Sequence, residues 1–174
     1  MSNDKSRRAS QEKPGTGLLN GVEYPHPFDE LAVELCHGAA RSLCILSPLL
    51  DHAAFDNAAL AAAISALARR SRQSEVRILI SDARALVKRG HRLLRLARRM
   101  PTSLRIQKLA EHPDWKGQTV VIRDRDGLLY KPGDADHQGF FDYASRVRAR
   151  QELELFEELW RHSAPDIELR ALSL

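Results

Sequence analysis

The segment Ala85–Met100, ALVKRGHRLLRLARRM, carries six arginines and lysines, one histidine and no acid. Arginine and lysine neutralise phosphates, and the forked donors of arginine hold a phosphate through paired hydrogen bonds. A histidine among cations stays neutral more readily, because nearby positive charge disfavours its protonation. A neutral imidazole can act as nucleophile or general base. Two kinds of chemistry follow: recognition of an acidic or phosphate-bearing partner, or attack by His91 on a phosphate ester with the arginines as clamps.

On a helical wheel of about 100° per residue, Arg84, Lys88, His91, Arg92, Arg95, Arg98 and Arg99 fall within one arc of about 120°. Leu86, Val87, Leu93, Leu94, Ala97 and Met100 take the other side. The pattern predicts one helix over 82–100, with Asp82 as N-cap and Pro101 after its end. With no acid on the helix, neighbouring cations repel by a few tenths of a kcal/mol per pair. Relief must come from Glu152, Glu154, Glu157 and Glu158 in ELELFEE, from a second subunit, or from an anionic ligand. The core claims the apolar face, which argues against a helix lying on a membrane.

Other groups carry weaker signals. Asp134, Asp136 and His137 in DADH are metal-capable but too close together for a specific site without distant partners. They read as a polar loop, and neither a metal nor a cofactor is expected. Trp115 in HPDWKG reads as a half-buried anchor beside a turn. Arg146, Arg148 and Arg150 open a helix, where the dipole disfavours cations, so they read as a solvated helix start. Ser47 and Asp51 flank the end of a strand, the edge where open α/β sheets hold ligands. No Gly-rich phosphate loop, Cys-x-x-Cys pair, nucleophile elbow or His-Glu-x-x-His is present.

The elements that must position these groups follow from periodicity. The chain has 174 residues and a net charge of +4, of which the first 17 residues hold +2. Residues 1–17 are polar and aperiodic and read as a disordered tail, with one domain over 18–174. FDELAVELCHGAA (28–40) predicts a helix with Leu31, Leu35 and Ala39 inward. FDNAALAAAISALARRSR (55–72) predicts another, with Leu60, Ile64, Leu67 and Ala68 inward. SLCILS and EVRILIS are buried strands, and SLRIQKL alternates as a half-buried one. QTVVIRD and GLLYK flank a tight turn at Arg125–Asp126 and form a hairpin. RVRARQELELFEELWRHS (146–163) predicts a helix with Ala149, Leu153, Phe156 and Trp160 at core spacing, and DIELRAL (166–172) a last strand. The fold class is α/β: a mixed β-sheet with helices packed on its faces. Cys36 and Cys44 sit in apolar company and read as reduced core thiols of a cytoplasmic protein. No run approaches the about 20 apolar residues of a membrane span, and the N-terminus lacks the apolar stretch of a secretory signal.

EVRILISD, a helix, SLRIQKL, TVVIRDRDGLLY and then ELFEELW with its Phe156 and Trp160 pair resemble a phospholipase D-like domain over roughly residues 28–172. In that family a strand carries H-x-K-x-x-x-x-D, whose histidine forms a phospho-enzyme and whose lysine holds the phosphate. None of the seven histidines here has lysine two positions on. Gly117 and Thr119 stand near the places of His and Lys, and Asp124 near that of Asp. The stretch GHRLLRLARRMPTSLRIQKL resembles a catalytically bare branch, known as bacterial domains of unknown function, some of which follow acetyltransferase domains. The 27 residues before Phe28 are expected to hold no such domain. Single-motif members of the family often pair, so the resemblance implies a homodimer. The leading expectation is a non-enzymatic binding or assembly module. It would use Arg84, Lys88, His91, Arg92, Arg95 and Arg99 for an acidic protein partner, a nucleic acid or another phosphate-bearing ligand. The alternative is a phosphodiesterase-type enzyme acting through His91. A third reading is structural, the stripe being neutralised by Glu152–Glu158.

Overall fold

The computed structural model describes residues 17–134 and 137–170, so the expected tail lies almost wholly outside the described residues. Strands β1 (Leu18–Val22), β2 (Ser42–Leu46), β3 (Glu75–Ile80), β4 (Leu104–Lys108), β5 (Thr119–Arg123), β6 (Gly127–Lys131) and β7 (Gly139–Asp142) form one sheet. Their order is β1-β7-β6-β5-β2-β3-β4. The β2, β3 and β4 strands are parallel, while the β2–β5, β5–β6, β6–β7 and β1–β7 pairs are antiparallel. The sheet is therefore mixed.

Alternation along the strands splits the core into two layers. On one side Leu43, Ile45, Val76, Ile78 and Val121 pack against α1 (Phe28–His37), α2 (His52–Phe55), α3 (Ala58–Arg70), α4 (Arg84–Arg89) and α5 (Arg92–Arg99). On the other, Cys44, Leu46, Leu79, Val120, Ile122 and Leu128 pack against Ala149, Phe156 and Leu159 of α6 (Arg146–His162). Phe156 is fully buried, a contribution of about 1.5–3 kcal/mol. It stacks on Trp160 at 5.7 Å, and the Arg77 guanidinium lies 5.1 Å from the Phe156 ring centre. Leu60, Ile64, Leu67 and Ala68 are buried as their spacing requires.

Three expectations need correction. DIELRAL forms no strand over its described part: Ile167–Arg170 is a helical turn, α7, and the rest lies outside the described residues. The sheet gains β1 and β7 instead. β1 is mostly exposed and shows no alternation, so its sequence carries no strand signal. The segment 82–100 is not one helix, and Val87, placed inward by the wheel, is 44% exposed.

The β5–β6 turn is tied back to the sheet. Asp124 accepts hydrogen bonds from the backbone N–H groups of Ala40, Arg41 and Ser42, each at 2.9 Å. The outer edge of β4 is met by a short segment after α6. Lys108 and Ala164 exchange backbone hydrogen bonds of 2.9 and 3.1 Å, and the Ser163 hydroxyl donates to Gln107 Oε1 at 2.6 Å.

Candidate functional site

The basic segment is broken by two residues. Gly90 has φ +71° and ψ 159°, a conformation open to glycine and almost no other residue. His91 then caps α5, its Nδ1 accepting the Leu93 N–H at 3.1 Å. Asp82 is not the N-cap of α4; Ala83 holds that position. Asp82 accepts from the Arg84 N–H at 2.9 Å and from the Arg84 guanidinium at 2.6 Å, which holds its carboxyl down at about 2.

The break separates residues that the wheel placed together. His91 is fully buried and does not share a surface with the arginines. Its Nε2 lies 3.1 Å from the Leu50 carbonyl. Burial pushes its pKa down to about 4. Arg84 is exposed and engaged by Asp82. Lys88 belongs to α4 and is exposed.

The α5 arginines face a different element from the one expected. Arg92, Arg95, Arg98 and Arg99 line an open groove of about 650 Å³ against Ala58, Ala61, Ala62 and Ser65 of α3. The small α3 side chains keep that groove open. Arg92 N–H and guanidinium reach Asp56 Oδ1 at 2.9 and 3.3 Å. Burial raises the Asp56 pKa, but these hydrogen bonds outweigh it and the net direction is down. Arg98 Nε donates to the Leu169 carbonyl at 3.0 Å. Among the described residues, no acid lies within ion-pair distance of Lys88, Arg95 or Arg99. The Glu152–Glu158 segment does not supply one, because α6 packs on the opposite face of the sheet and three of its acids are paired there. Glu157 pairs with Arg77, Glu154 with Arg150 at 3.0 Å, and Glu158 with Arg161 and His162. Burial raises the pKa of Glu152.

The carboxyl ends of β2 and β3 form a polar rim whose groups satisfy one another. Ser47 is buried and its Oγ accepts the Leu50 N–H at 3.1 Å. Tyr24 donates its hydroxyl proton to Asp51 Oδ2 at 2.5 Å. Burial and the Asp51 carboxylate make that phenol far less acidic than usual. His52 Nε2 lies 2.7 Å from the Gly90 carbonyl, with its ring 4.9 Å from that of His91. Lys131 Nζ donates to the Pro132 carbonyl at 3.1 Å and sits 5.0 Å from the Tyr24 ring centre.

At the places matched to the phospholipase D motif, Thr119 is buried opposite Lys131 in β6. Gly117 is pressed against the next loop, where a Cβ on Gly133 would run into the Lys116 carbonyl oxygen. Asp124 serves the backbone of 40–42 as described. The other candidates do not converge. Arg148 pairs with Asp142 at 3.6 Å, and Arg146 and Arg150 are exposed. Trp115 is half-buried and donates its indole N–H to the Gln118 carbonyl at 3.2 Å. Asp134 accepts from His137 Nδ1 at 2.9 Å, while Asp136 lies outside the described residues.

Sequence reasoning missed the α3 wall of the groove. Its signal was the run of alanines on the outer face of that helix, which read only as helix propensity.

Residues 24–172 match the family described as "Domain of unknown function (DUF7931)". The chain belongs to that family. No curated protein matches this DUF7931 chain. Among solved structures, it is similar to TrmBL2, "an archaeal chromatin protein" whose structure "shows a novel mode of DNA binding", with TM-score 0.61 and 11% identity. That alignment covers 91% of this chain, which spans only 57% of TrmBL2. It is also similar to Nuc, a phospholipase D family member from Salmonella typhimurium, with TM-score 0.59 and 14% identity over 85% of this chain and 96% of Nuc. NucT from Helicobacter pylori matches with TM-score 0.56 and 12% identity over 86% of this chain and 98% of NucT. The DUF7931 chain thus has a phospholipase D-like α/β fold.

Proposed function

We propose that this DUF7931 domain is a non-catalytic binding module that holds a nucleic-acid backbone in the groove between α3 and α5. The observation that carries the reading is the pair Arg95 and Arg99. They stand one helical turn apart on the groove wall, and no acid among the described residues lies within ion-pair distance. A phosphate chain relieves their mutual repulsion and releases counterions in doing so. Arg92 and Arg98 frame the same groove. TrmBL2, of similar fold, is a chromatin protein with a mode of DNA binding of its own.

The alternative, a phosphodiesterase using His91 with an arginine clamp, finds no support in the geometry. His91 is enclosed and both ring nitrogens are engaged. The sequence also offers no histidine followed two positions on by lysine. We further propose that the domain is a bacterial homodimer, as its family resemblance implies, and cytoplasmic, as the reduced core thiols Cys36 and Cys44 suggest. Sedimentation analysis at micromolar concentration reads that state directly.

The experiment is a fluorescence-anisotropy titration with short single- and double-stranded DNA and RNA at low and moderate salt. Wild type is compared with Arg92→Glu/Arg95→Glu/Arg99→Glu. Binding that weakens steeply with salt and disappears in the variant supports the reading. Absence of binding at low salt overturns it and directs the search to an acidic protein partner.

A further inference from the structure

On the α6 side of the sheet, three residues from two separate elements bring metal-ligating atoms together. Glu158 and His162 lie four apart on α6, so they share one helical face. His112 comes from the loop between β4 and β5, and its ring centre lies 5.4 Å from that of His162. One ligand atom from each of the three residues lies within 4.8 Å of the other two. The His162 Nε2 already sits 2.9 Å from Glu158 Oε1.

We propose that His112, Glu158 and His162 bind a divalent transition-metal ion of the zinc class. Two imidazoles and a carboxylate form a donor set that zinc accepts, at bond lengths near 2.0–2.2 Å. Tetrahedral bonds of that length put ligand atoms about 3.4 Å apart, so closure needs side-chain shifts on the order of 1 Å. The site leaves those shifts open. Exposure of the side chains rises from 15% at His112 to 39% at Glu158 and 56% at His162. An ion can enter, and water can complete the coordination.

The local hydrogen bonds state what binding must change. Binding through His162 Nε2 requires the neutral tautomer with its proton on Nδ1, so the contact between that Nε2 and Glu158 Oε1 gives way and the metal takes its place between the two groups. Arg161, which also pairs with Glu158, yields that oxygen or keeps the second one. His112 Nδ1 accepts the Asp114 N–H at 3.2 Å and lies 3.9 Å from Asp114 Oδ2. Ligation through Nε2 puts a proton on Nδ1, which then turns to the Asp114 carboxylate, a usual outer partner of a metal-bound histidine. The bound ion would tie the end of α6 to the β4–β5 loop. The site is independent of the arginine groove, which lies on the other face of the sheet, and it departs from the sequence-based expectation of no metal.

The test uses the full, untagged chain stripped with chelator. Zinc is titrated in competition with a chromophoric chelator, and cobalt(II) replaces it for visible spectroscopy. The expected result is one equivalent per chain, tetrahedral cobalt bands and a higher Tm with zinc. His162→Ala, at the most exposed position, is expected to weaken binding at least about tenfold, and His112→Ala likewise. His137→Ala is expected to leave it unchanged. No saturable equivalent, or the same affinity in His162→Ala as in wild type, overturns the proposal.

Discussion

His91 and Leu50 meet where α5 begins: the imidazole Nε2 donates to the Leu50 carbonyl oxygen at 3.1 Å. The tautomer is fixed by the other nitrogen. Nδ1 faces the Leu93 N–H at 3.1 Å, a group that can only donate, so Nδ1 must accept and the proton must sit on Nε2. A second proton on Nδ1 would break the cap and put a buried charge near His52 and Arg95.

Acid therefore destabilises the protein through His91. Its folded pKa of about 4 lies below the ordinary 6.5, so the unfolded chain takes up the proton first. The contribution is full above about pH 6.5, declines as pH falls, and is gone by about pH 4. The whole change is on the order of 3 kcal/mol. Urea unfolding of wild type and His91→Asn across that window checks this. Asparagine can still cap the helix but does not titrate, so the variant is expected to show a flatter pH slope.

Gly90→Ala is expected to cost about 1–3 kcal/mol, because φ +71° with ψ 159° is a glycine conformation. The space around it is not the obstacle, as a Cβ would stand 3.4 Å from Arg95 Nη1. Thermal unfolding reads the loss. A Tm equal to wild type would contradict the backbone argument.

Asp124 is expected to be worth about 2–4 kcal/mol, since its carboxylate answers three backbone donors. Burial raises its pKa, but the three N–H groups lower it further, so the net direction is down. Its stabilisation is present above the ordinary carboxylate value of 3.8 and is lost as pH falls through the lower folded value. Asp124→Asn tolerates the local φ of +49° yet loses the charge. It is expected to cost less than Asp124→Ala in denaturant titrations at pH 7.

Cys36 and Cys44 are expected to resist thiol reagents in the native state. Both are buried and unpaired, and burial pushes each thiol up to about 12. Only the thiolate reacts. Aromatic disulfide reagents are expected to label both sites on unfolding and neither before it.

The central strands were legible because each is an apolar run with β-branched residues, as in EVRILI and TVVIR. The helices with regular stripes were legible too: Leu60, Ile64 and Leu67 are buried where their spacing puts them. The basic segment misled because a wheel assumes an unbroken helix. Gly90 was the visible warning, and crossing it turned His91 from a surface residue into a core cap. The partners of the arginines were not legible, because which face of the sheet Glu157 occupies depends on topology. Glu157 meets Arg77 across 80 residues of sequence.

The short segment that meets β4 has a consequence during synthesis. Ser163 and Gln107 are 56 residues apart along the chain. At ordinary translation rates roughly 3 to 11 seconds separate their appearance. Through that interval the outer edge of β4 lacks the backbone partners that Ala164 later supplies, and an open strand edge is a template for pairing with another chain. On a crowded polysome, sibling chains caught at this length are the strands nearest to hand.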